Sequence, residues 1–128
     1  MEEEQRKRTS ELPDESMVAR QILKRWRTAF RSKDVAALIS LYETDAYLEV
    51  SDLSIQAYGR TSVERALQVL VEGPDEVDIE WREPVWSNGI ICSEYLLHGG
   101  ILDGAGVAIL GISGERVAFD KRFLMRSK

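Results

Sequence analysis

The apolar residues of this chain change their spacing near its middle, from a helical period to a strand period. Up to about residue 73 they recur every three or four positions, and from Val77 onward they alternate with polar residues. The first apolar stripe follows Pro13 and Asp14, which favour a helix start, and it predicts a helix over residues 14–32. Its members are Val18, Ile22, Trp26, Ala29 and Phe30.

Two more stripes predict two further helices. The shorter one follows Asp34, a residue that caps helices well, and consists of Val35, Leu38, Ile39 and Tyr42. The longer one begins at Thr61 and Glu64, which have the spacing of a capping box, and it ends at Gly73. Three helices are therefore predicted in the N-terminal half of the chain.

Strands are predicted between and after these helices. Residues 46–50 are rich in β-formers and predict a first strand, and residues 51–57 predict an irregular stretch. The later strands are predicted over residues 77–85, with a bend at Pro84, and over residues 90–97, 107–112 and 117–125. Helices followed by antiparallel strands predict an α+β fold, in which three N-terminal helices pack on one side of a curved, mostly antiparallel sheet.

Composition narrows the class of protein. A chain of 128 residues is the size of one domain and can bury a core without disulfides or metal. Residues 1–16 are charged and poor in apolar side chains, so we predict a flexible segment there and a folded domain over residues 17–128. The net charge of −5, without a basic stripe, argues against a nucleic-acid partner.

The single cysteine, Cys92, and the single histidine, His98, leave no disulfide framework and no Cys/His zinc site within one chain. We therefore expect no metal and no cofactor. An unpaired thiol fits the cytoplasm, and the acidic start of the chain is unlike a signal peptide. No apolar run approaches the roughly 20 residues that cross a bilayer, so no membrane association is expected.

The element order, the Tyr58-Gly59-Arg60 segment ahead of the third helix and the segment from Ser87 to Glu94 resemble the NTF2-like superfamily. Within it, residues 18–126 are most similar to the SnoaL-like and limonene-epoxide-hydrolase-like branch. The resemblance implies a cone-shaped fold with an apolar pocket between the concave sheet face and the helices. It also implies a homodimer that pairs through the convex sheet face.

The same resemblance assigns positions to the catalytic groups of limonene epoxide hydrolases. Their first-strand Tyr and Asn fall on Leu48 and Val50, or on Tyr47 or Glu49 if the register shifts. Their middle-strand Arg and Asp fall on Tyr95 and Leu97. Their last acid falls on Lys121, or on Arg122 if the register slips by one.

Lys121 is favoured over Arg122 because it shares strand parity with apolar neighbours, namely Val117, Phe119, Phe123 and Met125. Epoxide opening needs one carboxylate to activate water and a second acid to protonate the leaving oxygen. Neither Leu97 nor a cation fills these roles. The catalytic acids of the family are therefore expected to be replaced in this chain.

The leading hypothesis is a small-molecule-binding domain whose apolar pocket is lined by Leu48, Val50, Tyr95, Leu97, Phe119 and Lys121. Tyr95 and Lys121 would meet the carboxylate or enolate oxygen of a hydrophobic ligand. In a purely structural interpretation, Lys121 reaches water or pairs with an acid, and Tyr95 is a core residue.

Two alternatives remain open. One is a SnoaL-like or epoxide-hydrolase-like enzyme (cyclase, isomerase or hydrolase) acting on a polyketide or terpenoid, with Lys121, Tyr95, Glu49 and Asp52 as catalytic candidates and Tyr47 as a further one. The other is a dimeric assembly module that binds no ligand and uses the face around Glu94, Leu96 and His98.

Overall fold

The computed structural model describes residues 15–99 and 103–125 of the chain. Its helices are α1 (Glu15–Arg31), α2 (Val35–Ile39) and α3 (Arg60–Val71). Its strands are β1 (Tyr42–Val50), β2 (Ile55–Tyr58), β3 (Asp78–Trp81), β4 (Val85–Ser87), β5 (Ile90–His98), β6 (Gly104–Ser113) and β7 (Arg116–Met125). A short 3₁₀ helix, Ser51–Leu53, connects β1 and β2.

The strands within these described ranges form one mixed sheet in the order β2-β1-β7-β6-β5-β3, and β4 also pairs with β5. Neighbouring strands are antiparallel except for β1 and β7, which run parallel. The predicted α+β class, with helices packed on a mostly antiparallel sheet, is confirmed.

The core lies between the helices and one face of the sheet, which we call the inner face. The predicted apolar stripe of α1 supplies Ile22, Trp26, Ala29 and Phe30 to it, and α3 supplies residues such as Leu67 and Leu70. The strands contribute alternate side chains, as expected for a sheet with one covered face. The opposite sheet face, which includes Tyr47, Glu49, Lys121 and Phe123, is called the outer face.

Three local predictions were wrong: those for Tyr42, for the capping box of α3 and for the stretch after β1. Tyr42 was predicted in the second helix, but it opens β1, because the amide of Val117 donates a hydrogen bond to Leu41 O (2.7 Å) and draws this segment into the sheet. The capping box of Thr61 and Glu64 does not form. Instead α3 begins at Arg60 after Gly59, whose φ of 82° suits glycine and whose carbonyl accepts from the Val63 amide.

The stretch after β1, predicted as irregular, contains β2. The predicted bend at Pro84 is present, since β3 and β4 are separate strands on either side of residues 82–84 and both pair with β5. The predicted flexible segment falls almost entirely outside the described residues, since α1 already begins at Glu15.

Candidate functional site

A β-bulge in β7 decides which residues of this strand face the core. Val117 lies opposite Ile112 of β6, but Phe119 lies opposite Gly111, so Ala118 is an extra residue in β7. Inward-facing positions therefore change from odd numbers before the bulge to even numbers after it. As a result Asp120 and Arg122 point to the inner face, where they are 0% and 1% exposed.

The inward orientation predicted for Lys121 and Phe119 was therefore wrong. Strict alternation over residues 117–125 would turn Lys121 inward, and the bulge at Ala118 inverts it. On the outer face, Lys121 lies beside Glu49 of β1 and opposite Ile109 of β6. Its Nζ is 6.0 Å from the centroid of the Phe119 ring.

The other four residues predicted to line a pocket, Leu48, Val50, Tyr95 and Leu97, are buried on the inner face. This places Tyr47 and Glu49 on the outer face, where the Tyr47 hydroxyl donates a hydrogen bond to Glu49 Oε1 (2.9 Å). Desolvation, followed by this hydrogen bond, raises the pKa of Tyr47 to about 12. The side chain of Asp52 lies outside the described part of the structure.

Asp120 and Arg122 form a buried ion pair that sequence analysis missed as a pair. Arg122 donates from Nε to Asp120 Oδ1 (2.9 Å) and from Nη2 to Oδ2 (3.1 Å). The Tyr42 hydroxyl also donates to Oδ2 (2.6 Å) and accepts a hydrogen bond from Trp26 Nε1 (3.0 Å). The available sequence signal was an acid and a base two positions apart in an apolar strand, since such residues share one face.

Three aromatic rings surround the guanidinium of Arg122. Its Cζ lies 4.2 Å from the ring centroid of Trp26, 5.2 Å from that of Trp81 and 5.4 Å from that of Tyr95. The Tyr95 ring lies over Gly106, where there is no side chain to displace it. The protein's own Arg122 therefore occupies the position beside these rings where a cationic ligand could otherwise bind.

Two groups of this network, Arg122 and Tyr42, have raised pKa values. Burial lowers the pKa of Arg122, but the charge and hydrogen bonds of Asp120 outweigh it, so the pKa of Arg122 is raised above its ordinary value. Burial, followed by the charge of Asp120, raises the pKa of Tyr42 well above its ordinary value, which keeps its hydroxyl a donor at neutral pH. Because the Asp120 carboxylate accepts three hydrogen bonds, it is not placed to take a proton from a ligand.

An apolar cavity of about 310 Å³ lies between α1 and the end of the sheet at the β4–β5 and β6–β7 turns. Ala19 and Ile91, both buried, form part of its wall, and Trp86 and Ile112 complete most of the apolar lining. Glu115 is the single ionisable residue among its described lining residues. The full lining is Val18, Ala19, Trp86, Gly89, Ile90, Ile91, Ile112, Gly114 and Glu115, which includes none of the six predicted pocket residues.

A basic cleft of about 250 Å³ lies between α1 and residues 81–84. Among its lining residues are four cationic side chains, Arg20, Lys24, Arg27 and Arg82, and one acid, Glu83. Arg20 donates two hydrogen bonds to Glu83, one of them at 3.1 Å, and these bonds lower the pKa of Glu83.

Arg27, which also lines this cleft, is paired with Asp78. Its Nε and Nη2 each donate to one Asp78 oxygen at 2.9 Å, and Asp78 also accepts from the amide of Ile79 (2.8 Å). The hydrogen bonds from Arg27 are the main cause of a lowered pKa for Asp78. This pair stabilises the contact between α1 and β3.

Within residues 15–99 and 103–125, no group of three or more His, Cys, Asp or Glu side chains is arranged to hold a metal ion. His98 and Cys92 are exposed on the outer face, as predicted, and His98 Nε2 lies 3.6 Å from Glu80 Oε1. The described helices include none that is both long and apolar enough to span a membrane.

The sequence matches no protein-family model and no curated protein sequence. The structure, in contrast, is similar to solved structures of several bacterial proteins. An LEH-like epoxide hydrolase of M. tuberculosis superposes with a TM-score of 0.70 at 12% identity, covering 88% of this chain and 86% of the other.

Two further structures of proteins of unknown function give the same result. A SnoaL-like protein of Burkholderia thailandensis has a TM-score of 0.69 at 15% identity, with coverage of 86% of this chain and 97% of the other. An NTF2-like protein of Mesorhizobium loti has a TM-score of 0.70 at 15% identity, with coverage of 90% and 97%. Together with the helix and strand order, these similarities show that the chain has the NTF2-like α+β fold.

Proposed function

We propose that this chain is a small-molecule-binding domain whose ligand occupies the apolar cavity beside Trp86. The observation that carries this proposal is the cavity itself, about 310 Å³ in volume and lined almost entirely by apolar side chains. Ligand pockets in proteins span about 300–1,000 Å³, so a compact apolar molecule fits the lower end of this range. The cavity lies between α1 and the turn end of the sheet, so a ligand can enter it from solvent beside the β4–β5 and β6–β7 turns.

Binding is favoured over catalysis by the state of the acids. A general base needs an available lone pair within reach of the substrate. Asp120 accepts three hydrogen bonds from Arg122 and Tyr42, is fully buried and does not line the apolar cavity, and Glu49 points away from the core on the outer face. Glu115, at the cavity, is an exposed residue of the β6–β7 turn. We therefore infer a binding protein in which the interior ion pair is part of the scaffold.

Filling the cavity tests this proposal. Val18→Trp places a large ring in the cavity from a half-buried position of α1, and the affinity for the neutral fluorescent probe N-phenyl-1-naphthylamine should fall about tenfold or more. Val69→Trp is the matched control, because Val69 is exposed on α3 and does not line the cavity. Fluorescence titration measures both affinities. No probe binding by the wild type, or equal affinity in the two variants, would contradict the proposal.

We also infer that two copies pair through the outer face. Phe123 and Met125 are 42% and 57% exposed there, next to the half-buried Val107 and Ile109. A contiguous apolar patch of this kind is typical of an interaction surface, and a second copy of the same face is its simplest partner. The cytoplasm stays the predicted location, because the exposed Cys92 thiol is unpaired.

A charge at the centre of this patch should prevent the pairing. In Phe123→Glu a carboxylate would have to lose water at the interface, which costs far more than an apolar contact gains, so the variant should be monomeric. Val69→Glu serves as the control, since Val69 is 39% exposed on α3, on the other side of the sheet from the patch. Native mass spectrometry gives the oligomeric state of each protein. A monomeric wild type, or a Phe123→Glu variant that remains dimeric, is the result that excludes this interface.

A further inference from the structure

We propose that Arg20 selects ligands that carry a carboxylate, by exchanging its ion pair with Glu83 for one with the ligand. This inference rests on the proposed function, because it concerns the ligand of the same apolar cavity. The sequence pattern predicts this role for Lys121, which lies on the outer face instead.

The first argument is the position of Arg20 between the two cavities. Its side chain lines the basic cleft, and its Cζ lies 5.6 Å from the ring centroid of Trp86, which lines the apolar cavity. On α1, Arg20 directly follows Val18 and Ala19, which also line the apolar cavity. A ligand with its apolar body in that cavity would therefore have its polar end close to the guanidinium.

The second argument is the charge around Arg20. The chain as a whole carries −5, yet the lining of the cleft carries four cations and one acid. Asp78 neutralises Arg27 from a half-buried position, but Lys24 and Arg82 remain exposed beside Arg20. A local excess of positive charge in an acidic protein attracts an anionic ligand.

The ion pair between Arg20 and Glu83 is exchangeable. The side chains of Arg20 and Glu83 are 51% and 71% exposed, and ion pairs between exposed groups contribute little to stability. Arg20 nevertheless makes a bidentate contact with Glu83, as a guanidinium does with any carboxylate. A ligand carboxylate can thus replace Glu83 with the same contacts, and Glu83 returns to water.

These observations identify the ligand class as a compact apolar monocarboxylate. The apolar body would supply most of the affinity, and Arg20 would distinguish the acid from a neutral molecule of the same shape. Glu83 competes with the ligand carboxylate for Arg20, so the Arg20–Glu83 ion pair lowers the affinity for the ligand.

Isothermal titration calorimetry with octanoate and 1-octanol, at constant low ionic strength, tests the assignment. The wild type should bind octanoate about tenfold more tightly than 1-octanol. Arg20→Met should lower the affinity for octanoate to the level of the affinity for 1-octanol. It should leave the affinity for 1-octanol unchanged. Glu83→Gln should strengthen octanoate binding, because it removes the competing carboxylate. Arg25→Met is the matched control: Arg25 is exposed on the same helix and lines neither cavity, so it should behave like the wild type.

The outcomes separate this inference from the function it rests on. If the wild type binds both molecules with equal affinity, or if Arg20→Met keeps the preference for octanoate, Arg20 is not the selector, and the binding function stands. If neither octanoate, 1-octanol nor the neutral naphthylamine probe binds, the proposed function fails, and this inference fails with it.

Discussion

Replacing Arg122 with methionine is expected to lower the free energy of unfolding by about 3–5 kcal/mol, because it leaves a buried charge without its partner. Asp120 is fully buried, and the Tyr42 hydroxyl would be its remaining donor among the contacts described above. The variant also removes the guanidinium from between the rings of Trp26 and Trp81. Urea unfolding at neutral pH, followed by circular dichroism, measures the loss.

Two variants make this result specific. Lys121→Met changes a cation one position away on the outer face, and we expect a change within about 0.5 kcal/mol. Asp120→Leu combined with Arg122→Met removes both charges, so the double variant should recover much of the stability lost in the single one. If Arg122→Met is as mild as Lys121→Met, the buried pair does not have the role assigned to it.

Gly106→Ala is expected to lower the free energy of unfolding by about 1–3 kcal/mol, the usual cost of overpacking a filled core. An added Cβ would lie 2.5 Å from both Cζ and Oη of Tyr95 and 2.9 Å from the carbonyl oxygen of Phe123. Tyr95 is itself buried against Trp81 and Arg122, so it has little room to move. The same urea experiment measures this loss.

The comparison for this variant is Gly111→Ala. There an added Cβ meets the ring of Phe119, but that ring is half-buried on the outer face and can turn toward solvent, so the loss should be smaller. Combining Gly106→Ala with Tyr95→Leu should cost less than the sum of the two single variants, because the ring that the new methyl group strikes is gone. Strictly additive losses would show that the two residues do not press on each other.

Sequence periodicity predicted most of the fold because the apolar stripes are long and regular. The stripes of α1 and α3 recur at helical spacing over several turns, so the face that each of these helices buries follows directly from the order of residues. Errors occurred at element ends, such as Tyr42, where a single backbone hydrogen bond to a distant strand decides between helix and sheet.

The candidate site was predicted less well. Leu48, Val50, Tyr95 and Leu97, predicted to line a pocket, face the interior, because β1 and β5 are regular in this part of the sheet, but none of them lines the apolar cavity. The apolar cavity and the basic cleft were missed, because each is lined by segments far apart in sequence. Arg20 and Glu83, for example, are 63 positions apart, and nothing in the local sequence of either indicates the other.

The sequence by itself determined the α+β class, the order of the three helices within the described residues and the buried faces of α1 and α3, since local spacing encodes all of these. The tertiary structure alone decided which residues of β7 face the core. Val117 lies opposite Ile112 and Phe119 lies opposite Gly111, so Ala118 has no partner in β6 and forms a bulge. This bulge turns Lys121 outward and brings Asp120 and Arg122 into contact with Tyr42 and Trp26. These contacts depend on strand pairing and helix packing, which no local sequence pattern encodes.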